Sequence, residues 1–199
     1  MKRLPILLIF VRAPFLGVVK TRLAKGIGQV SAREFYVKTS TDIINNISND
    51  PVWRTILCVT PDDAALQSRF WKEAKDRIPQ GHGNLGERME RALLRFPNQP
   101  VLIVGSDIPE ISQKIIKEAF SLAKRSDLVF GPSSDGGYWL VGARMGSLTR
   151  GLFKNVRWST EHALADTLKN TGIKRTVFVN ELDDIDDVTD LINWSNQRS

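Results

Sequence analysis

Cysteine is all but missing: Cys58 stands alone in 199 residues. A lone thiol excludes an intramolecular disulfide, a secreted disulfide framework and a cysteine zinc finger, so a reducing, cytoplasmic setting is expected. Histidine is nearly as scarce, and both His82 and His162 read first as surface or structural residues. Long hydrophobic runs are lacking too. No stretch approaches the roughly 18 apolar residues of a membrane-spanning helix, and no membrane insertion is expected. Lys2 and Arg3 ahead of Leu4 to Val11 imitate a secretory leader, but Arg12 cuts the run short and no small-x-small cleavage pattern follows. Containing Ile6, Ile9 and Val11, the segment reads as a first buried β-strand. Repeats, low-complexity tracts and linker-like runs are absent, and one domain over residues 1–199 is expected. Two phosphate signatures are also missing. Lys20-Thr21 lacks the glycines of a P-loop, and no G-x-G-x-x-G follows the first strand.

What is present is positive charge and a regular alternation of elements. A formal net charge of +6 suits an anionic partner, whether nucleic acid, an acidic membrane or a phosphorylated small molecule. The basic residues are dispersed and no aromatic-basic RNA motif appears, so nucleic acid is not the expected partner, although five tryptophans keep a non-catalytic nucleotide or nucleic-acid binder as a rival reading. Leu4 to Val11, Trp53 to Val59, Pro100 to Val104, Leu128 to Phe130, Tyr138 to Val141 and Lys174 to Val179 read as strands. Between them, helices are expected from Ser31 (with Glu34 as a capping box), from Asp62, through Met89, from Ser112, from Ser159 and from Asp187 with Asp190. Central strands apolar on both faces predict a mostly parallel sheet covered by helices on both sides. The close pair of strands around Gly136 and Gly137 points to a mixed sheet.

In an open α/β sheet the ligand lies beyond the carboxyl ends of the strands, which selects the residues that follow. After the first strand comes a loop from Arg12 to Leu23. Pro14 and Gly17 shape it, Gly17 permits close backbone approach, and Arg12, Lys20 and Arg22 offer charge to phosphate; Lys20 and Arg22 are expected to be exposed. An ordinary solvated basic loop is the alternative. After the apolar run Val101 to Val104, Gly105-Ser106-Asp107-Ile108-Pro109 places a carboxylate suited to Mg²⁺ or Mn²⁺, unless Asp107 simply caps the turn. Gly131 to Tyr138 offers Asp135 for metal, substrate or general-base work, with Gly136 and Gly137 allowing close approach; a plain hairpin turn would look similar. Gly83 to Met89 sets Gly86 and Arg88 at a helix start, where amides and a guanidinium could meet an anion, although a plain helix entry explains the segment by itself. Trp158 to His162 could line an acceptor side. Asp183, Asp184, Asp186 and Asp187 could supply a second metal ligand or form a solvated helix cap.

In their order and number these segments resemble a family of small bacterial GT-A-fold proteins labelled nucleotide-diphospho-sugar transferase or radical-SAM/selenodomain-associated transferase. The matching pieces are Arg12-Ala13-Pro14 with Gly17 and Lys20 to Leu23, Leu85-Gly86 with Arg88-Met89, Gly105-Ser106-Asp107 with Pro109, Asp135 to Tyr138, and Trp158-Ser159-Thr160. More distantly, the first loop is similar to that of the 2-phospholactate guanylyltransferases. The resemblance implies a three-layer α/β/α GT-A fold with a mostly parallel mixed sheet. It also implies a nucleotide or nucleotide-sugar donor, a small-molecule acceptor, Mg²⁺ or Mn²⁺ held by Asp107, and Lys20 and Arg22 on the phosphates. The Asp-x-Asp of many glycosyltransferases is absent, since Gly105 stands two before Asp107. Asp184-Ile185-Asp186 is similar to the start of a family Asp-Ile-Asp-Thr-Pro, which makes Asp186 a candidate second metal ligand, but Asp187 and Val188 stand in place of Thr and Pro. A metal-dependent transferase with Asp107 and Asp135 in catalysis is therefore expected, with glycosyl and nucleotidyl transfer both open.

Overall fold

The structure is a computed structural model that describes residues 3–67, 70–72, 74, 76–147 and 150–196. Lys2 of the leader-like run lies outside them. A mixed seven-stranded sheet is ordered β3-β2-β1-β4-β6-β5-β7. Its strands are β1 (Ile6–Arg12), β2 (Arg54–Thr60), β3 (Arg77–Pro79), β4 (Val101–Val104), β5 (Leu128–Pro132), β6 (Tyr138–Ala143) and β7 (Thr176–Phe178). Only β6 runs against its neighbours, pairing antiparallel with β4 and β5. The helices are α1 (Thr21–Ile27), α2 (Gln29–Ser48), α3 (Leu85–Leu94), α4 (Gln113–Ala123), α5 (Ala163–Lys169) and α6 (Val188–Asn196). No helix of the described residues is long and apolar enough to cross a membrane.

Period-two alternation in β1 sorts the core into two layers. Leu7, Ile9 and Val11 pack with Ile43, Ile44 and Ile47 of α2 and with Ile116 and Phe120 of α4. Ile6 and Leu8 face the other way, with Met89 and Leu93 of α3 and Phe153. The three-layer α/β/α arrangement expected from the sequence is therefore present. Register then places the strand ends: Arg12 pairs with Thr60, and Val59 with Pro79. Consequently the chain leaves β1, β2 and β3 along one rim, where Arg12, Thr60 and Gln80 meet.

Several expected boundaries move. Strand β3 was not anticipated, because an Arg-Ile-Pro tripeptide carries little strand signal and its proline is tolerated only at an edge. Helix α2 begins at Gln29 after Gly28, whose φ of 85° separates it from α1, so Ser31 lies inside the helix instead of capping it. Ser159 does not cap α5, which starts after His162. Asp62 heads a short 3-10 turn at Asp62–Leu66, and its Oδ1 accepts the Gly81 amide. Ser112 does cap α4, and α3 opens on a capping box between Asn84 and Glu87.

Candidate active site

The loop after β1 enters α1 through Lys20, whose φ of 48° is rare for a side-chain-bearing residue. That turn sends the Lys20 stem inward, and its side chain is only 4% exposed. The sequence expectation of an exposed Lys20 is thus not met. Its Nζ donates to Asp107 Oδ2 at 2.7 Å and to Asp186 Oδ1 at 2.8 Å, and it lies 3.6 Å from Asp184 Oδ2. Arg22 is exposed, as expected, and reaches Asp186 Oδ2 at 3.3 Å.

Asp107 follows β4, and the segment carrying the other two acids is tied to it by the Ile185 amide, 3.4 Å from the Asp107 carbonyl. The C-terminal acids then divide by role. Asp184 and Asp186 turn toward Lys20, whereas Ile185 is buried. Asp183 accepts the Ser134 amide at 2.8 Å, and Asp187 and Asp190 cap α6 reciprocally. Carboxylate oxygens of Asp107, Asp184 and Asp186 all lie within 4.8 Å of one another. Burial, reinforced by Asp107, pushes Asp184 up to about 7. For Asp186, burial works the same way, but Lys20 outweighs it and holds the carboxyl below its usual range. Burial disfavours a charged Lys20, yet the three carboxylates reverse that and raise it above an ordinary lysine. Three hard oxygen donors at this spacing fit Mg²⁺ or Mn²⁺.

This cluster sits where two lobes of one cleft join. The first, of about 530 Å³, is lined by Arg12, Lys20, Arg22, Thr60, Gln80 and Arg88, among others. Among the described residues no carboxylate pairs with Arg12 or Arg88. Burial depresses Arg88, and the positive charges of Arg12 and Arg91 push the same way against Asp62. Arg88 donates to Gln80 Oε1 at 2.7 Å, while the buried Gln80 amide nitrogen donates to the carbonyls of Cys58 and Val11. Tyr36 completes the wall: its hydroxyl accepts the Arg12 amide at 2.9 Å and lies 3.2 Å from Ser106 Oγ. Burial raises that phenol to about 12, so it stays neutral.

The second lobe, of about 840 Å³, is lined by Asp135, Gly137, Tyr138, Trp158, Glu161 and His162 together with the three clustered acids. Asp135 is exposed and its Oδ1 accepts the Gly137 amide at 2.8 Å, so it caps the turn anticipated there and still borders the cleft. The facing loop is held by Asp166, which receives Arg157 Nε at 2.7 Å and Lys169 Nζ at 3.0 Å. Ser159, with φ of 59°, lies on both lobes.

Four of the expected ligand residues sit behind the wall. Pro14 gives its carbonyl to Arg33 Nε at 2.6 Å, and Gly17 (φ 75°) turns the loop. A Cβ on Gly86 would lie 2.7 Å from Trp158, so this glycine lets α3 pack closely against that ring. Gly136 (φ 81°) abuts the Glu161 carbonyl. Sequence reasoning missed Tyr36, Thr60 and Gln80, which follow or face strand ends but carry no motif; of the four C-terminal acids it offered as ligands, Asp184 and Asp186 are the two that join Asp107.

Residues 43–160 match DUF2064, described as an uncharacterized protein conserved in bacteria. The chain belongs to that family. The match takes in Asp107, Asp135 and Trp158, while Lys20 and the Asp184–Asp186 segment lie outside it. A protein of Desulfovibrio desulfuricans G20, provisionally named a nucleotide-diphospho-sugar transferase, superposes with a TM-score of 0.87 at 26% identity, covering 100% of this chain and 90% of that one. The 2-phospho-L-lactate guanylyltransferase of Methanocaldococcus jannaschii is 25% identical over 119 residues, 60% of this chain; the matched part spans 51% of that relative's length. Rv0371c of Mycobacterium tuberculosis H37Rv, solved in complex with manganese, shares the fold with a TM-score of 0.55 at 13% identity, covering 95% of this chain and 97% of that one.

Proposed function

We propose that this chain is a metal-dependent transferase that binds the phosphates of a nucleotide donor in the first lobe and presents the transferred group to an acceptor in the second. The observation that carries the reading is the three-carboxylate cluster at the junction of a basic lobe and an acidic, aromatic one. Arg12, Arg22 and Arg88 would neutralise a diphosphate, Arg as a bidentate fork suiting phosphate oxygens. Asp107, Asp184 and Asp186 would hold Mg²⁺ or Mn²⁺, which supplies charge neutralisation on the leaving phosphate. A manganese complex of a protein with this fold supports that choice of ion. Asp135, on the rim of the second lobe, would position the acceptor or take its proton.

The whole-chain likeness to a nucleotide-diphospho-sugar transferase favours glycosyl transfer. Nucleotidyl transfer is the second reading, favoured by the guanylyltransferase relative and by the missing Asp-x-Asp. A thermal-shift screen of nucleoside triphosphates and nucleotide-sugars, with and without Mn²⁺, identifies the donor. Turnover then releases a nucleoside diphosphate in glycosyl transfer and pyrophosphate in nucleotidyl transfer. Absence of any metal-enhanced donor shift would refute the transferase reading.

A further inference from the structure

Three carboxylates packed within 4.8 Å repel one another strongly unless a cation sits among them. In this chain the cation is an ammonium, Lys20 Nζ, at 2.7, 2.8 and 3.6 Å from the three acids. A divalent ion bound by the same oxygens would need the same space. We infer that Lys20 is the resident cation of the metal site, neutralising Asp107, Asp184 and Asp186 in the ligand-free protein and leaving them when a divalent cation and the donor's phosphates arrive together. The inference rests on the transferase reading above and adds an order to it.

The geometry gives the ammonium somewhere to go. Lys20 lines the basic lobe as well as the acid cluster, so its flexible four-carbon stem can swing from carboxylate to phosphate without a backbone change. A metal arriving alone must evict a buried ammonium that has no phosphate to meet. A phosphate arriving alone must draw Lys20 out and leave three half-buried carboxylates side by side with only Arg22, on Asp186, to offset them. Arriving together, metal and phosphate avoid both costs, and each therefore raises the affinity for the other, reciprocally.

The test is Mn²⁺ binding, followed by electron paramagnetic resonance at pH 8 with no nucleotide present. Lys20→Met should bind Mn²⁺ at least about tenfold more tightly than wild type, within the range of ordinary coupling between two sites. Lys20→Arg, which keeps the charge, should stay as weak as wild type. Mn²⁺ affinity of Lys20→Met equal to or below that of wild type would overturn the inference. A second measurement uses the wild-type protein and avoids folding defects. Acetylation of the Lys20 amine, read by mass spectrometry, should be slow in the free protein and speed up when Mn²⁺ alone is bound. Bound Mn²⁺ with Lys20 still protected would show that the two share the site, again overturning the inference. Failure of the transferase reading would show in the donor screen and would leave the Mn²⁺ comparison standing.

Discussion

The two lobes of the cleft are built by different parts of the sheet and carry opposite charge. The first lies beyond the ends of the parallel strands β1 to β4, where Arg12, Lys20, Arg22 and Arg88 face Asp107 and Asp186. The second lies against the antiparallel β5–β6 turn and the approach to α5. There Asp107, Asp135, Glu161, Asp184 and Asp186 face Arg22 and His162 across Tyr138 and Trp158. On the proposed reading such a division suits a polyanionic donor in the first lobe and disfavours a second phosphate in the second. An acceptor with a neutral hydroxyl resting on aromatic faces suits it better. Changes confined to one lobe should therefore leave the other's ligand largely untouched, and residues that line both, among them Asp107, Asp186, Arg22, Trp158 and Ser159, should affect both.

The largest effect is expected at that shared point. Asp107→Asn keeps size and shape but removes the charge a hard cation requires. Loss of a partner that merely supports a metal ligand costs about 10- to 100-fold, so loss of a ligand should cost at least that in Mn²⁺ affinity. Were Asp107 only a turn residue, Asn would serve nearly as well, and equal metal enhancement of donor binding in both proteins would sink the assignment.

Next comes the donor lobe. Arg12→Ala and Arg88→Ala each remove a guanidinium that has no carboxylate partner among the described residues, so little stability should be lost at Arg12 and somewhat more at Arg88, which donates to the buried Gln80 Oε1. Donor binding should weaken by about 1.5–3 kcal/mol, roughly 10- to 150-fold in Kd by calorimetry. Unchanged affinity in both would contradict a phosphate role for this lobe. In the second lobe, Gly136→Ala forces a side chain into a positive φ of 81° and against the Glu161 carbonyl. About 1–3 kcal/mol of stability should be lost, measured by urea unfolding, with donor affinity preserved in the folded fraction.

The same contrast governs what the sequence disclosed. Order of elements, the three layers and the mixed sheet were legible because apolar periodicity and caps such as Ser112 are local signals. Within the first lobe, Asp107 and Arg12 were legible because ligands gather at the ends of parallel strands. Gln80 was not, since it follows an edge strand of three residues that has no pattern of its own. The inward Lys20 was not either: its burial depends on a left-handed turn and on acids 87 and 166 residues away in sequence, and chain order carries no trace of that meeting. The glycines misled differently. Gly86 and Gly136 mark close approach, as such residues do, and the group that approaches each Cα is Trp158 or the Glu161 carbonyl.

The smallest effect probes how the second lobe is held. Asp166 anchors its wall by accepting Arg157 Nε and Nη2 at 2.7 and 3.0 Å and Lys169 Nζ at 3.0 Å. The hydrogen bond from Arg157, then that from Lys169, depresses the Asp166 carboxyl well below the usual carboxylate range. A depressed folded-state pKa contributes stability that is fully present above the unfolded value, near pH 4, and is lost as pH falls through the folded value. Asp166→Asn should therefore lower the melting temperature slightly at pH 7, and the gap to wild type should close progressively below about pH 4. Since both cationic partners are largely exposed, water and salt screen the pair, and the gap should also shrink in high salt. Functionally the change should loosen the Trp158–His162 segment, raising the KM for acceptor more than it weakens donor binding, since only Trp158 and Ser159 of that segment also line the first lobe. A loss confined to donor binding would mean that the two lobes are not separable in the way their charges suggest.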